Sequence, residues 1–306
     1  MDMVRGPVKA FDRLTLIAGH VHWLSLLVAA LWAATILVCH VQAARAGDRI
    51  PQPEAYRLGV FPYLPVLAID RIYGPVAVQF AEDLGRPVHL KTKPTFEKFA
   101  DELRKETYDI ILVHPFFYVE ARDEHHYEPL ARLEEPLTAV IMVRDGDPFE
   151  TLADLKGKTI GLPPALAAVT ELIRASLMDA GLVPGVDVAL EHYRSKPSCL
   201  QAVASGRAAA CGLPRFALAQ MDPNNERKLR LMFETEPVSN FLFAAHARVP
   251  ESVRIDLCKS ILAWPFTAKG RQILAGGAWS RFVMARDQDY DEIRRHVLQL
   301  QRFAGR

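Results

Sequence analysis

The stretch Tyr108–Tyr118 reads YDIILVHPFFY and decides the fold class. Its apolar run, Ile110–Val113, is typical of a strand that is buried on both faces of a parallel sheet. His114 and Pro115 follow at once, and proline is favoured at the first position of a helix because no N–H group is needed there. The stretch therefore predicts a strand, a turn and a helix in direct succession.

Strands and helices alternate along the rest of the chain as well. The apolar run Tyr56–Tyr63 predicts a first strand, and helical spacing over Ile69–Leu84 predicts a helix that begins near Pro75. Further strands are predicted over Val88–Lys91, Thr138–Val143, Thr159–Leu162, Val188–His192, Ala208–Leu213 and Phe241–Ala245, and further helices over Phe96–Leu103, Leu152–Leu155, Ala167–Ala180, Ser198–Ser205, Glu251–Gly270 and Asp289–Gln301. This alternation predicts two doubly wound α/β units, in which ligands bind outside the carboxyl ends of the strands.

The composition is that of a globular protein with little net charge. The 306 residues suffice for about two domains, and 50% of them are hydrophobic and 24% charged, which excludes a disordered or collagen-like chain. The 37 basic residues oppose 36 acidic ones, which gives a net charge of +1. Because this leaves no surplus of positive charge to hold a polyanion, we expect no nucleic-acid partner.

The N-terminal segment has the pattern of an export signal. Basic residues precede an uncharged apolar run, Trp23–Cys39, and the small-x-small sequence Ala44–Ala46 follows it. The run is longer than an ordinary signal-peptide core and shorter than a full membrane span. Residues 1–46 are therefore predicted to be either a cleaved signal peptide or an anchor that holds the protein to the inner membrane through residues 14–41. In both cases we expect a periplasmic protein.

The cysteines leave more than one interpretation open. Without residues 1–46 the chain keeps Cys199, Cys211 and Cys258, an odd number in a compartment that permits disulfides. They are either buried thiols, or one disulfide and one free thiol, or part of a site for a soft ligand.

Sequence motifs of catalysis are not found. The chain has no GxSxG, GxxxxGK[ST], GxGxxG or HExxH motif. The pair His125-His126 lies in a polar stretch between a predicted helix and a strand, which favours a solvated loop over a metal site.

Polar and aromatic residues follow several of the predicted strands. His114 comes directly after a buried strand, so its imidazole is expected at the carboxyl edge of a sheet, with Tyr63 and Tyr118 beside it unless those rings belong to the core. Pro163-Pro164 follows another strand and leads into a helix, whose first N–H groups, near residues 165–168, suit an anion. These positions predict a binding cleft.

An ordered set of motifs resembles a known family. The set comprises Tyr108-Asp109-Ile110 followed by His114-Pro115 and Tyr118, Asp154–Lys158 (DLKGK) before a strand and a proline turn, Gly206 at a helix end, and Phe282 with Asp289-Tyr290 and Ile293-Arg294. Over residues 56–300 the chain resembles the phosphate/phosphite/phosphonate-type substrate-binding proteins of ABC transporters. The resemblance implies a two-lobed type 2 periplasmic-binding fold, with lobe 1 formed by residues 55–143 and 246–306 and lobe 2 by residues 144–245. It also implies a ligand between lobes that close by a hinge motion.

The chain departs from the family in its anion-binding turn. Phosphonate binders have serine and threonine there, whereas this chain has Pro163-Pro164-Ala165-Leu166-Ala167 and keeps only Thr170, one turn further on. Each lost charge-assisted hydrogen bond costs about 1.5–3 kcal/mol, so the ligand could differ from a phosphonate.

The resemblance implies an exported binder of a small anionic or polar ligand, not an enzyme, without a cofactor and monomeric. Its partners would be an ABC permease or, with the anchor retained, a sensor kinase. Two alternatives stay open: a two-lobed enzyme, for which a paired acid and base are missing, and binding of arsenite, copper or zinc for sensing or delivery through Cys199 and Cys211 with His114 or His192. The expected ligand-binding residues are Tyr63, Thr95, His114, Tyr118, Ala165, Leu166, Ala167, Thr170, Tyr193 and Ser195.

Overall fold

Two mixed β-sheets flanked by helices make up the described part of the chain. The computed structural model describes residues 54–220 and 228–304, all within one compact unit. The strands are β1 (Tyr56–Val60), β2 (Val88–Lys91), β3 (Ile110–Val113), β4 (Tyr127–Leu133), β5 (Ala139–Arg144), β6 (Thr159–Leu162), β7 (Ala189–His192), β8 (Ala210–Pro214), β9 (Leu229–Glu234), β10 (Leu242–His246) and β11 (Phe282–Met284). The α-helices are α1 (Val66–Leu84), α2 (Phe96–Arg104), α3 (Pro115–His125), α4 (Ala168–Asp179), α5 (Lys196–Ala204), α6 (Glu251–Ala263), α7 (Ala268–Gly277) and α8 (Asp291–Ala304).

The first sheet has the strand order β2-β1-β3-β10-β4-β11. Strand β1 pairs in parallel with β2 and β3, whereas β10 runs antiparallel to β3 and places Leu242 opposite Val113. The first residues of β10 therefore lie at the same edge as the carboxyl ends of β1, β2 and β3. Aromatic rings fill the core on this sheet: Phe243 is fully buried, with the rings of Trp264 and Phe282 at 5.8 and 5.4 Å.

The second sheet has the order β7-β6-β8-β5-β9, with β6 parallel to β7 and β8. Small residues let its helices approach closely. A Cβ atom at Gly212 would lie 2.3 Å from the end of the Ile173 side chain on α4, so a larger residue there would have to displace that side chain. A disulfide between Cys199 and Cys211 joins α5 to β8.

The chain passes between the sheets twice, through residues 134–138 and 235–241. Leu137 and Val238 pair across these segments, each donating its N–H group to the other's carbonyl at 2.8 and 3.0 Å. The predicted lobe boundaries at residues 143 and 246 therefore differ from the boundaries of the sheets. Strand β5 belongs to the second sheet because it pairs with β8, and β10 belongs to the first sheet because it pairs with β3. These pairings join residues far apart in sequence, which hydrophobic periodicity does not report.

The two-sheet α/β fold is confirmed, but several element limits were wrong. Helix α1 begins at Val66, after Pro65, and carries Pro75 inside it, where the sequence predicted its start. The predicted helix Glu251–Gly270 ends at Ala263, because Pro265 lacks an N–H group and Thr267 caps a new helix. Strands β4, β9 and β11 were not predicted. The apolar segment within residues 1–46 lies outside the described residues.

Candidate functional site

The carboxyl edges of the two sheets meet at one contact between loops. His114 follows β3, and its Nε2 atom lies 3.0 Å from the carbonyl oxygen of Leu166, which follows β6. His114 is only 3% exposed. We call this contact and the loops around it the junction. It lies where open α/β sheets bind ligands, outside the ends of their parallel strands.

His114 is a neutral hydrogen-bond donor at the junction. The N–H group of Phe117 donates to its Nδ1 atom at 3.3 Å, so His114 caps helix α3 and Nδ1 holds no proton. The proton is therefore on Nε2, which donates to the Leu166 carbonyl. Burial lowers the pKa of His114 to about 3, with its backbone hydrogen bonds acting in the opposite direction. At neutral pH the ring supplies a polar contact without a charge.

Three neighbouring rings form a surface that we call the aromatic wall: Phe61, which contacts His114, and Tyr63 and Phe241, which contact Phe61. Phe61 and Tyr63 are stacked with centroids 4.7 Å apart, and Phe241 lies 6.4 Å from each of them. The Phe61 ring meets that of His114 edge-on at 5.4 Å. The Tyr63 hydroxyl is 2.8 Å from that of Tyr73, and burial raises the pKa of Tyr63 to about 12. The wall is therefore uncharged at neutral pH.

The opposite side of the junction is the turn Pro163–Ala167, which we call the α4 turn. Ala167 is the N-cap residue of α4, in an extended conformation, and its side chain cannot accept a hydrogen bond. The first-turn N–H groups of α4 thus receive no side-chain cap, and they carry the positive end of the helix dipole. Ala167, one of the predicted backbone donors, instead donates its N–H group to the Pro164 carbonyl at 2.9 Å.

Thr170 does not take the place of the family's missing hydroxyls. Its side chain is fully buried, and its Oγ1 atom donates to the Pro163 carbonyl at 3.1 Å. The Nδ1 atom of His192 lies 2.6 Å from the same carbonyl oxygen. Both side chains hold the α4 turn in place.

Four other predicted site residues have structural roles. Tyr118 was wrongly predicted at the sheet edge: it is fully buried on α3, and its hydroxyl donates to Asp287 at 2.8 Å. Thr95 and Ser195 are N-cap residues that accept hydrogen bonds from the helices they begin, α2 and α5. The Tyr193 ring packs against the buried cluster around the disulfide.

The soft-ligand alternative does not fit the structure. Cys199 and Cys211 are bonded to each other, so neither supplies a thiolate, and His114 donates to Leu166 instead of approaching them. Cys258 is a free thiol whose Sγ atom lies 3.3 Å from the Leu130 carbonyl, and burial raises its pKa. A raised pKa disfavours the thiolate that binds metals.

Sequence reasoning overlooked two members of the aromatic wall. Phe61 lies in the run that was interpreted only as a strand, and its position two residues before Tyr63 was the available signal. Phe241 reaches the junction because β10 returns antiparallel to β3, which depends on strand order.

The sequence profile of the family described as ABC transporter, phosphonate, periplasmic substrate-binding protein matches residues 58–290. The chain belongs to this family. Proteins of the family bind small-molecule ligands and deliver them to an ABC permease, and they are not enzymes. No curated protein matches the chain in sequence.

Several solved structures share the fold of this phosphonate-family protein. PhnD1 from Prochlorococcus marinus (MIT 9301), in complex with methylphosphonate, matches with a TM-score of 0.70 and 17% identity over 82% of this chain and 99% of its own. A Xanthomonas citri protein bound to ATP matches with a TM-score of 0.71 and 16% identity over 83% and 99%. A binding component of a phosphonate ABC transporter from Pseudomonas aeruginosa reaches 0.67 and 16% over 83% and 88%.

Within residues 54–220 and 228–304, no helix has both the length and the hydropathy to cross a bilayer.

Proposed function

We propose that the protein captures a phosphonate-type anion at the junction and passes it to an ABC permease. The observation that carries this proposal is the uncapped start of α4 directly opposite a buried, neutral imidazole donor. Helix N-termini bind anions through free N–H groups and the helix dipole. Family membership supports both the ligand class and the permease.

Backbone groups, not hydroxyl side chains, would hold the anion. Thr170 already donates to the Pro163 carbonyl, and the residues of the α4 turn carry no polar side chain. The Nε2–H group of His114 is the side-chain donor that reaches the turn from the first sheet, and it is directed at the Leu166 carbonyl. A ligand oxygen would replace that carbonyl as the acceptor. The two halves of the molecule, one around each sheet, would close on the ligand by a hinge motion at residues 134–138 and 235–241.

Ala167→Asp tests where the anion binds. A carboxylate at the N-cap should raise the free energy of unfolding by about 1 kcal/mol, because it accepts the free N–H groups of α4. The same carboxylate should weaken methylphosphonate binding by at least about tenfold, because it occupies and repels the anion's site. Calorimetric titration and urea denaturation of the full chain measure the two effects.

Val186→Asp is the matched control. Val186 is 81% exposed and precedes β7, so an aspartate there adds the same charge near the amino end of that strand, away from the carboxyl edge of the sheet. Its affinity should equal that of the wild type. Unchanged binding in Ala167→Asp would exclude the start of α4 as the anion site.

Export is the second part of the proposal, and it depends on residues 1–46 acting as a signal peptide or an anchor. Expression in a Gram-negative host, fractionation and intact mass measurement test it. A periplasmic chain that begins at Gly47 would indicate cleavage, and an intact chain in the membrane fraction would indicate the anchor. An intact chain in the cytoplasm would contradict export.

A further inference from the structure

The aromatic wall gives the junction an apolar side. Phe61 is 5% exposed, and Tyr63 and Phe241 are partly exposed. The wall is continuous with His114 through the 5.4 Å contact of Phe61. A ligand that receives a hydrogen bond from His114 would therefore have its remaining atoms next to these rings.

The residues that form the aromatic wall and the α4 turn carry no charged side chain. His114 is neutral, the aromatic wall consists of Phe61, Tyr63 and Phe241, and the α4 turn consists of proline, alanine and leucine. The Tyr63 hydroxyl is neutral and bonded to Tyr73. A second charge on the ligand, placed against the aromatic wall, would lose its hydration without gaining a partner from these three rings, which is strongly unfavourable.

The wall is also a poor cage for a cation. Aromatic cages bind ammonium groups over the open faces of their rings. Here Phe61 and Tyr63 stack at 4.7 Å with an interplanar angle of 21°, so each ring covers one face of the other. The packed rings offer apolar area instead, which suits an alkyl or aryl group.

We infer that the preferred ligand is a phosphonate with an apolar, uncharged organic substituent, which packs on Phe61, Tyr63 and Phe241 while its phosphonyl group faces the α4 turn. This inference rests on the proposed function and narrows it to alkyl- and arylphosphonates. It separates them from inorganic phosphate, which has no substituent, and from aminoalkylphosphonates, which carry an ammonium group.

Calorimetric titration of the full chain with five compounds tests the inference: inorganic phosphate and methyl-, ethyl-, 2-aminoethyl- and phenylphosphonate. We expect ethylphosphonate to bind about fourfold more tightly than methylphosphonate, and phenylphosphonate about tenfold or more, because affinity rises with buried apolar area. Ethyl- and 2-aminoethylphosphonate differ only in the ammonium group, and the charged compound should bind at least about tenfold more weakly.

Phe241→Ala should remove most of the preference for phenyl over methyl while changing the affinity for methylphosphonate by less than about threefold. Phe241→Leu keeps an apolar side chain there and should give an intermediate preference, which covers the case that the alanine variant does not fold. Phe266→Ala is the control, because that ring is 82% exposed and lies beyond α6. It should leave all five affinities unchanged.

The outcomes separate this inference from the proposed function. If no phosphonate binds, both fail. If phosphonates bind but phosphate or 2-aminoethylphosphonate binds most tightly, only the apolar substituent is disproved. An equal loss of affinity for all compounds in Phe241→Ala would likewise contradict a specific contact between the wall and the substituent.

Discussion

The first sheet and the second sheet are stabilised by different kinds of side chain. Large rings such as Phe243 fill the core on the first sheet, whereas the buried residues around the Cys199–Cys211 disulfide are aliphatic or small. The same difference reaches the junction, where the first sheet supplies the aromatic wall and the second supplies a turn of proline, leucine and alanine. The half of the molecule around the first sheet therefore offers apolar area, and the half around the second sheet offers backbone donors. A ligand with an organic end and an anionic end would match both.

Phe243→Ala should have the largest effect on stability. The ring is fully buried against Phe80, Trp264 and Phe282, so its loss leaves a cavity in the first half and should lower the free energy of unfolding by about 3–5 kcal/mol. Urea denaturation measures the change. The exposed Phe266→Ala should stay within about 0.5 kcal/mol of the wild type. A cost below about 1 kcal/mol for Phe243→Ala would show that rings do not dominate this half.

The disulfide provides the matching test for the second half. Replacing both Cys199 and Cys211 by alanine should lower the free energy of unfolding by about 2–4 kcal/mol, because the bridge restricts the unfolded chain. Denaturation with and without a reductant checks this, since the reductant should destabilise the wild type but not the double variant. Cys258→Ala is the control, because this free thiol should leave the sensitivity to reductant intact. Equal stability of oxidised and reduced wild type would contradict the prediction.

A residue of the junction could be predicted from the sequence where it directly follows its own strand, and not where its position depends on pairing with a distant strand. His114 and the α4 turn were predicted because each follows its own strand directly, and the carboxyl ends of parallel strands are where ligands bind. Phe241 was missed because its place depends on a strand that returns from the other sheet. The position of Tyr118 was predicted wrongly because successive residues of a helix point in different directions, and only some of them face the sheet edge at which the helix begins. Tyr118 faces the neighbouring ring of Tyr290 instead.

Acid should destabilise the junction through His114. The pKa of this histidine in the folded protein, about 3, lies below the ordinary value of 6.5, so the unfolded chain binds more protons below pH 6.5. The contribution of His114 to stability is complete above pH 6.5 and is lost as the pH falls toward 3. At pH 5 the loss should be about 2 kcal/mol.

His114→Gln isolates this effect, because glutamine does not titrate, while His246 and His296, whose pKa values are also lowered by burial, remain in both proteins. Denaturation at pH 7 and pH 5 should show that the wild type loses about 2 kcal/mol more than the variant. Parallel losses would mean that the imidazole is solvated in the folded protein and that the junction is open.

The smallest expected effects concern the two helix caps, one in each half. Thr95 accepts a hydrogen bond from the N–H group of Lys98, and Ser195 accepts one from Ser198, both at 3.3 Å. Because these oxygen atoms satisfy the helices they begin, Thr95→Ala and Ser195→Ala should each lower the free energy of unfolding by about 1 kcal/mol. Thr95→Asn and Ser195→Asn keep a capping oxygen and should retain most of that stability.

Ligand affinity then decides between a cap and a binding residue. If both hydroxyls only cap their helices, the alanine variants should bind methylphosphonate within about twofold of the wild-type affinity in calorimetry. The loss of a helix cap would then change stability and leave the binding site intact. A tenfold loss in one variant would place that hydroxyl on the ligand. If the variant were Thr95→Ala, the first half would supply a polar contact in addition to rings. If it were Ser195→Ala, the second half would hold the anion with a side chain as well as with backbone donors.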